Sequence, residues 1–142
     1  MNLEREVFLD TSFAVALAAT TDEFNAVAKK IATALRRPGQ LVLTTRAVIL
    51  EIGNALSGLR YRTAAVQLLS SFERDKWLSI VPLSESLYLE GFKLYSARPD
   101  KEWGVVDCIS FTVMTQRGLT QALTADAHFQ QAGFRALLLE FD

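Results

Sequence analysis

The chain has 142 residues, half of them apolar, which suits one domain, spanning residues 1–142, with a buried core. Lys and Arg number 15 against 16 Asp and Glu, a formal charge of -1, which argues against a basic nucleic-acid coat but not against a local basic patch. The lone Cys108 excludes an internal disulfide and fits a reducing compartment, and the lone His128 argues against zinc held by His and Cys. Residues 1–6 carry Glu4, Arg5 and Glu6 with no apolar run behind a basic start, so no signal peptide is visible. The uncharged stretch Thr11 to Thr21 is shorter than the roughly 20 residues of a membrane span. The reading is of a soluble, cytoplasmic protein with no membrane partner.

Val7-Phe8-Leu9 reads as a short strand buried on both faces, ended by Asp10. Ser12 to Ala19 is a short apolar helix. Thr20 and Glu23 have capping-box spacing and open a second helix, with Phe24, Val27, Ala28, Ile31, Ala32 and Leu35 repeating at helical intervals until Pro38-Gly39. Leu41-Val42-Leu43 is the second strand, and Thr44 or Thr45 caps a third helix from about Arg46 to Gly58. A fourth helix covers Arg62 to Arg74, with Val66, Leu69 and Phe72 on one face. Trp77 to Leu83 is a third strand, and Ser84 caps a fifth helix through about Ser96. A sixth helix runs from near Val105 to Gln116, closed by Gly118. Ala122-Leu123-Thr124 is a fourth strand, His128 to Ala132 a helical turn ending at Gly133, and Ala136 to Phe141 a fifth strand. Short apolar strands alternating with helices predict an α/β fold: three α/β/α layers around a central parallel sheet of four to five short strands.

Ligands of such sheets bind beyond the carboxyl ends of the strands, where strand order reverses. Two strands here run into Asp10 and Asp126. If they are neighbours, both carboxylates open onto one cleft. Two further acids interrupt apolar segments. Glu51 is the only charge between Ala47 and Leu59, flanked on its helix face by Ala47, Val48, Asn54 and Ala55. Asp107 stands alone in Val105-Val106-Asp107-Cys108-Ile109 at a helix start, where backbone N–H groups favour negative charge. Each has an ordinary reading: a turn residue for Asp10, helix caps for Asp107 and Asp126, an Arg-paired acid for Glu51. One shared acidic cluster accounts for all four together.

In order along the chain, Leu9-Asp10-Thr11-Ser12, Glu51 within Ile49 to Leu56, Val106-Asp107-Cys108-Ile109-Ser110-Phe111, and Leu123-Thr124-Ala125-Asp126-Ala127-His128-Phe129 through Phe134 resemble the four motifs of the PIN domain. The chain is most similar to the small VapC toxins of prokaryotic toxin–antitoxin pairs. One departure precedes the third motif, where Trp103 and Gly104 stand in place of small polar residues. The resemblance implies a metal-dependent endoribonuclease acting on an RNA substrate, with Mg²⁺ or Mn²⁺ held by Asp10, Glu51, Asp107 and Asp126 as metal-binding and catalytic residues. An antitoxin protein partner and a homodimer are expected with it. Oxygen ligands suit such hard cations, and a cation is what lets several carboxylates ionise side by side.

Thr11, Ser12 and Thr124 are candidates to orient those carboxylates, against ordinary turn or cap bonding. Trp103 is a candidate for the cleft lining, against core packing, as is Trp77 at a strand start. Arg36, Arg37, Arg46, Arg60 and Arg62 are candidates for RNA phosphates, against a solvated surface. His128 is weighed as a general base and set below a structural or exposed role. No G-x-G-x-x-G follows the first strand, no Walker A motif is present, and Ser12 stands where a haloacid-dehalogenase-type enzyme has its second Asp. The alternative function is a catalytically silent PIN-fold binding or scaffold protein.

Overall fold

In a computed structural model, which describes residues 2–140, five parallel strands form one sheet. They are β1 (Glu6–Leu9), β2 (Leu41–Thr45), β3 (Leu78–Val81), β4 (Gln121–Leu123) and β5 (Arg135–Ala136), in the order β3-β2-β1-β4-β5. The central β1 pairs with β2 from Glu6 opposite Leu41 and with β4 from Phe8 opposite Ala122. Both sheet faces are covered there, so Val7, Phe8 and Leu9 are all buried.

Among the described residues, eight helices link and flank the strands: α1 (Thr11–Ala18), α2 (Asn25–Ala34), α3 (Arg46–Ala55), α4 (Arg62–Arg74), α5 (Glu85–Ala97), α6 (Val105–Arg117), α7 (Ala127–Gln131) and α8 (Leu137–Glu140). Strand order advances from β1 to β2 to β3, then reverses to place β4 on the other side of β1. With right-handed crossovers, that reversal puts α5 and α6 on the sheet face opposite α1 to α4 and makes the β1–β4 seam the switch point. The three-layer α/β/α arrangement with a parallel sheet is the one the sequence predicts.

Local chemistry explains several boundaries. The Thr45 side chain accepts from Val48 N–H at 3.2 Å and starts α3, while Ser84 does the same for Leu87 at 3.1 Å and α5. Gly118 takes a left-handed conformation (φ 68°) and closes α6. Helices α5 and α6 approach closely because Gly91 has no side chain: a Cβ there would lie 2.5 Å from Ile109 Cγ1.

Two predicted elements are corrected. The second helix does not open at Thr20 with Glu23. Asp22 Oδ1 instead accepts from Phe24 N–H at 2.8 Å, a local Asx turn that holds the backbone out of the helix until Asn25. The fifth strand stops at Ala136, and Leu137–Glu140 is helical, with Leu138 N–H donating to Thr124 O at 3.1 Å. Such a short apolar run fits strand or helix equally by pattern, and its unbranched-at-Cβ leucines favour the helix. Phe141 lies outside the described residues. No helix among the described residues is long and apolar enough to cross a membrane.

Candidate metal centre

The four predicted acids line one cleft of about 540 Å³ at the carboxyl ends of β1 and β4. Asp10 follows β1 directly, and its backbone N–H donates to Leu123 O at 3.2 Å, which ties it to the neighbouring strand. Its side chain is no solvated turn group, since the residue is 4% exposed. Nor does it cap α1: its Oδ2 accepts the Thr124 hydroxyl at 2.7 Å. Thr124 Oγ1 also accepts from Asp126 N–H at 3.0 Å and lies 2.9 Å from Ser12 Oγ. Since Thr124 has one hydroxyl proton and gives it to Asp10, Ser12 is the donor in that pair. Ser12 Oγ in turn accepts from Ala125 N–H at 2.9 Å. Two hydroxyls thus lock the end of β1 to the end of β4.

Glu51 projects from α3, and the Thr11 hydroxyl donates to its Oε1 at 2.5 Å, so its partner is a hydroxyl and not an arginine. Asp107 sits in the first turn of α6, where its Oδ2 accepts from Gly104 N–H at 3.1 Å. Asp126 is the N-cap of α7, its Oδ1 accepting from His128 N–H at 2.8 Å. The capping roles of Asp107 and Asp126 are therefore real and coexist with their place in the cleft.

Burial pushes the Asp10 carboxyl up to about 7, with the charges of Asp107 and Glu51 adding to it and the bonds from Thr124 and Thr11 opposing. Asp107 is also raised, chiefly by burial, with the Gly104 bond opposing and the Asp126 charge adding. These acids repel one another across a space that no lysine or arginine lines, among the described residues. Such a donor set, rich in carboxylate oxygen and short of positive charge, fits a divalent cation.

The tightest group among the described residues is not the four acids. One ligand atom each from Asp107, Asp126 and His128 lies within 4.8 Å of the others. His128 Nδ1 is 3.2 Å from Asp107 Oδ2 and 3.4 Å from Asp126 Oδ1. The sequence reading weighed this histidine only as a general base, below a structural or exposed role; the structure places it in the cleft beside two of the acids. Asp22, Glu23 and Glu102 also line the cleft and were not anticipated. Nothing in the periodicity marks them, because loops bring them there.

Several sequence candidates lie elsewhere. Trp103 is 5% exposed and belongs to the core, its Nε1 donating to Gln131 Oε1 at 3.1 Å and its ring edge-on to Phe111. Trp77 is on the surface at 42% exposure and lines a different cavity. None of the five candidate arginines lines the acidic cleft. Arg37 bonds Leu3 O and Gln40, Arg46 pairs with Glu73, Arg62 bonds Ser57 O, and Arg60 lies over the Tyr61 ring. Cys108 is buried.

The PIN domain model matches residues 7–135, across all four acids. The chain belongs to the PIN domain family. Within it, the chain is 30% identical over 128 residues to the 23S rRNA-specific endonuclease VapC20 of Mycobacterium tuberculosis, covering 90% of this chain and 95% of that protein. The crystal structure of the same relative, described as a sarcin–ricin loop cleaving toxin, superposes with a TM-score of 0.81 at 26% identity, over 90% of this chain and 95% of that one. VapBC2 from Rickettsia felis, bound to a DNA fragment from its promoter, matches with a TM-score of 0.66 at 13% identity, over 92% of this chain and 96% of that one, and shares the PIN fold.

Proposed function

We propose that this PIN domain is a metal-dependent endoribonuclease, that Asp10, Glu51, Asp107 and Asp126 hold its Mg²⁺ or Mn²⁺, and that it is the toxin of a toxin–antitoxin pair. The observation that carries the reading is the convergence of these four acids on one cleft at the switch point, with no lysine or arginine lining it among the described residues. A bound divalent cation supplies an acidified water and charge neutralisation at the scissile phosphate. The chain's own part is positioning. Thr124 holds Asp10, Thr11 holds Glu51, the Gly104 amide holds Asp107, and the His128 amide holds Asp126. Carboxylates fixed this way need no reorganisation to receive a cation, and preorganisation of this kind lowers the barrier.

The VapC20 likeness supports a structured RNA as substrate, the sarcin–ricin loop of 23S rRNA being the first to test. The test is to incubate purified protein with ribosomal RNA in Mn²⁺, Mg²⁺ or EDTA and map the ends by primer extension. A single metal-dependent cut, lost in Asp107→Asn, is the expected result. RNA left intact in every metal, with no growth arrest on expression, overturns the nuclease and leaves a silent PIN-fold scaffold.

The partner in this reading is an antitoxin, and co-expression of the small neighbouring gene product is expected to restore growth. A homodimer is part of the same proposal. It is supported by the outer face of α5, where Tyr88, Leu89, Phe92 and Tyr95 are exposed and their rings lie 6.1 and 6.2 Å apart in succession. Light scattering at micromolar concentration measures it. The reading also places the protein in the cytoplasm, with its RNA.

A further inference from the structure

The reading above leaves open which donors meet the cation and which cation they prefer. We infer that His128 Nδ1 is a ligand beside Asp107 and Asp126, giving a mixed nitrogen–oxygen set that selects Mn²⁺ over Mg²⁺; this rests on the cleft holding a divalent cation at all.

The geometry carries it. Adjacent ligands of an octahedral ion at about 2.1 Å lie about 3 Å apart. His128 Nδ1 stands 3.2 Å from Asp107 Oδ2 and 3.4 Å from Asp126 Oδ1, close to two such edges. The imidazole is kept there by α7, whose first turn ties His128 to Asp126 through the 2.8 Å backbone bond. Its side chain is 29% exposed and lines the cleft. Asp10 and Glu51 line the same space and add oxygen donors. Mg²⁺ is the harder ion and takes oxygen ligands almost exclusively, so one imidazole nitrogen among the carboxylates tips the set toward a first-row transition ion such as Mn²⁺, which tolerates nitrogen better. An arrangement of four carboxylates alone would not distinguish the two ions this way.

The test exploits the single histidine of the chain. Tag-free protein carrying ¹⁵N-histidine is loaded with one equivalent of Mn²⁺, and electron spin echo modulation is compared with unlabelled protein. Direct nitrogen coupling that changes with the isotope is the expected result. Mn²⁺ bound stoichiometrically without such coupling overturns the inference and leaves the metal-centre reading standing. Failure to bind Mn²⁺ or Mg²⁺ by calorimetry overturns both. In His128→Gln, Mn²⁺ affinity should fall on the order of 10-fold or more, with Mg²⁺ affinity nearly unchanged. An equal loss for the two ions refutes the selectivity. The labelled natural protein decides the matter even if the variant does not fold.

Discussion

Asp10→Asn tests the electrostatics of the cleft without touching its packing. The Asp10 carboxyl is raised from 3.8 to about 7, chiefly by burial. Between those values the folded chain binds a proton that the unfolded chain has released, so stability falls as pH rises. The loss is absent below about pH 4 and complete above about pH 7. A shift of about three pH units corresponds to about 4 kcal/mol. Asparagine keeps a carbonyl oxygen for the Thr124 hydroxyl but adds an amide donor that needs a partner, at a cost of about 1–3 kcal/mol. The metal-free variant should therefore be more stable than the natural chain by about 2 kcal/mol at pH 8. At pH 4 the advantage should vanish or reverse. Urea unfolding in EDTA at both pH values measures the difference. Saturating Mn²⁺ should invert the order at pH 8, since a ligand at 100 times its Kd adds about 2.7 kcal/mol to the protein that binds it. An Asp10→Asn variant that is less stable than the natural chain at pH 8 without metal would refute the reasoning.

Thr124→Val removes the hydroxyl that lowers the Asp10 pKa. The midpoint of Mn²⁺ binding against pH should move to higher pH, by about one unit for a lost charge-assisted bond of about 1.5 kcal/mol, as followed by calorimetry across pH 5 to 9. Gly91→Ala would drive a Cβ to 2.5 Å from Ile109 Cγ1 and 3.1 Å from its Cα, so α5 and α6 must separate. A loss of about 1–3 kcal/mol is expected in urea unfolding. Trp103→Phe should keep the edge contact with Phe111 but lose the bond to Gln131 Oε1, lowering stability by about 1 kcal/mol. It should leave cleavage unchanged, because Trp103 does not line the cleft.

The fold was legible where local and global preferences agree. Val7-Phe8-Leu9 was read as a short strand buried on both faces, which it is, and helix α4 was read to both its ends, Arg62 and Arg74. The four acids were legible because a charge inside an apolar run violates the pattern around it. What failed were places where two local solutions compete. At Asp22 an Asx turn outbids a helix cap, and at Leu137 a short leucine run takes a helix over a strand. Trp103 was misplaced among the candidates for the cleft because an indole before the Asp107 segment and an indole packed under it look alike in one dimension. The acids Asp22, Glu23 and Glu102 were hidden for the opposite reason: only the three-dimensional path of the loops shows that they line the cleft with Asp10.

The order of the strands has a consequence for synthesis. The middle of the sheet is closed by β4, which arrives near the end of the chain, yet β1 was made first. Until residues 121–128 leave the ribosome, Phe8 and Leu9 have an unpaired edge, and Asp10 lacks its Thr124 clasp and its Asp126 neighbour. A half-made copy therefore has no assembled cleft, and Asp10 gains its neighbours only once translation of that copy has all but finished.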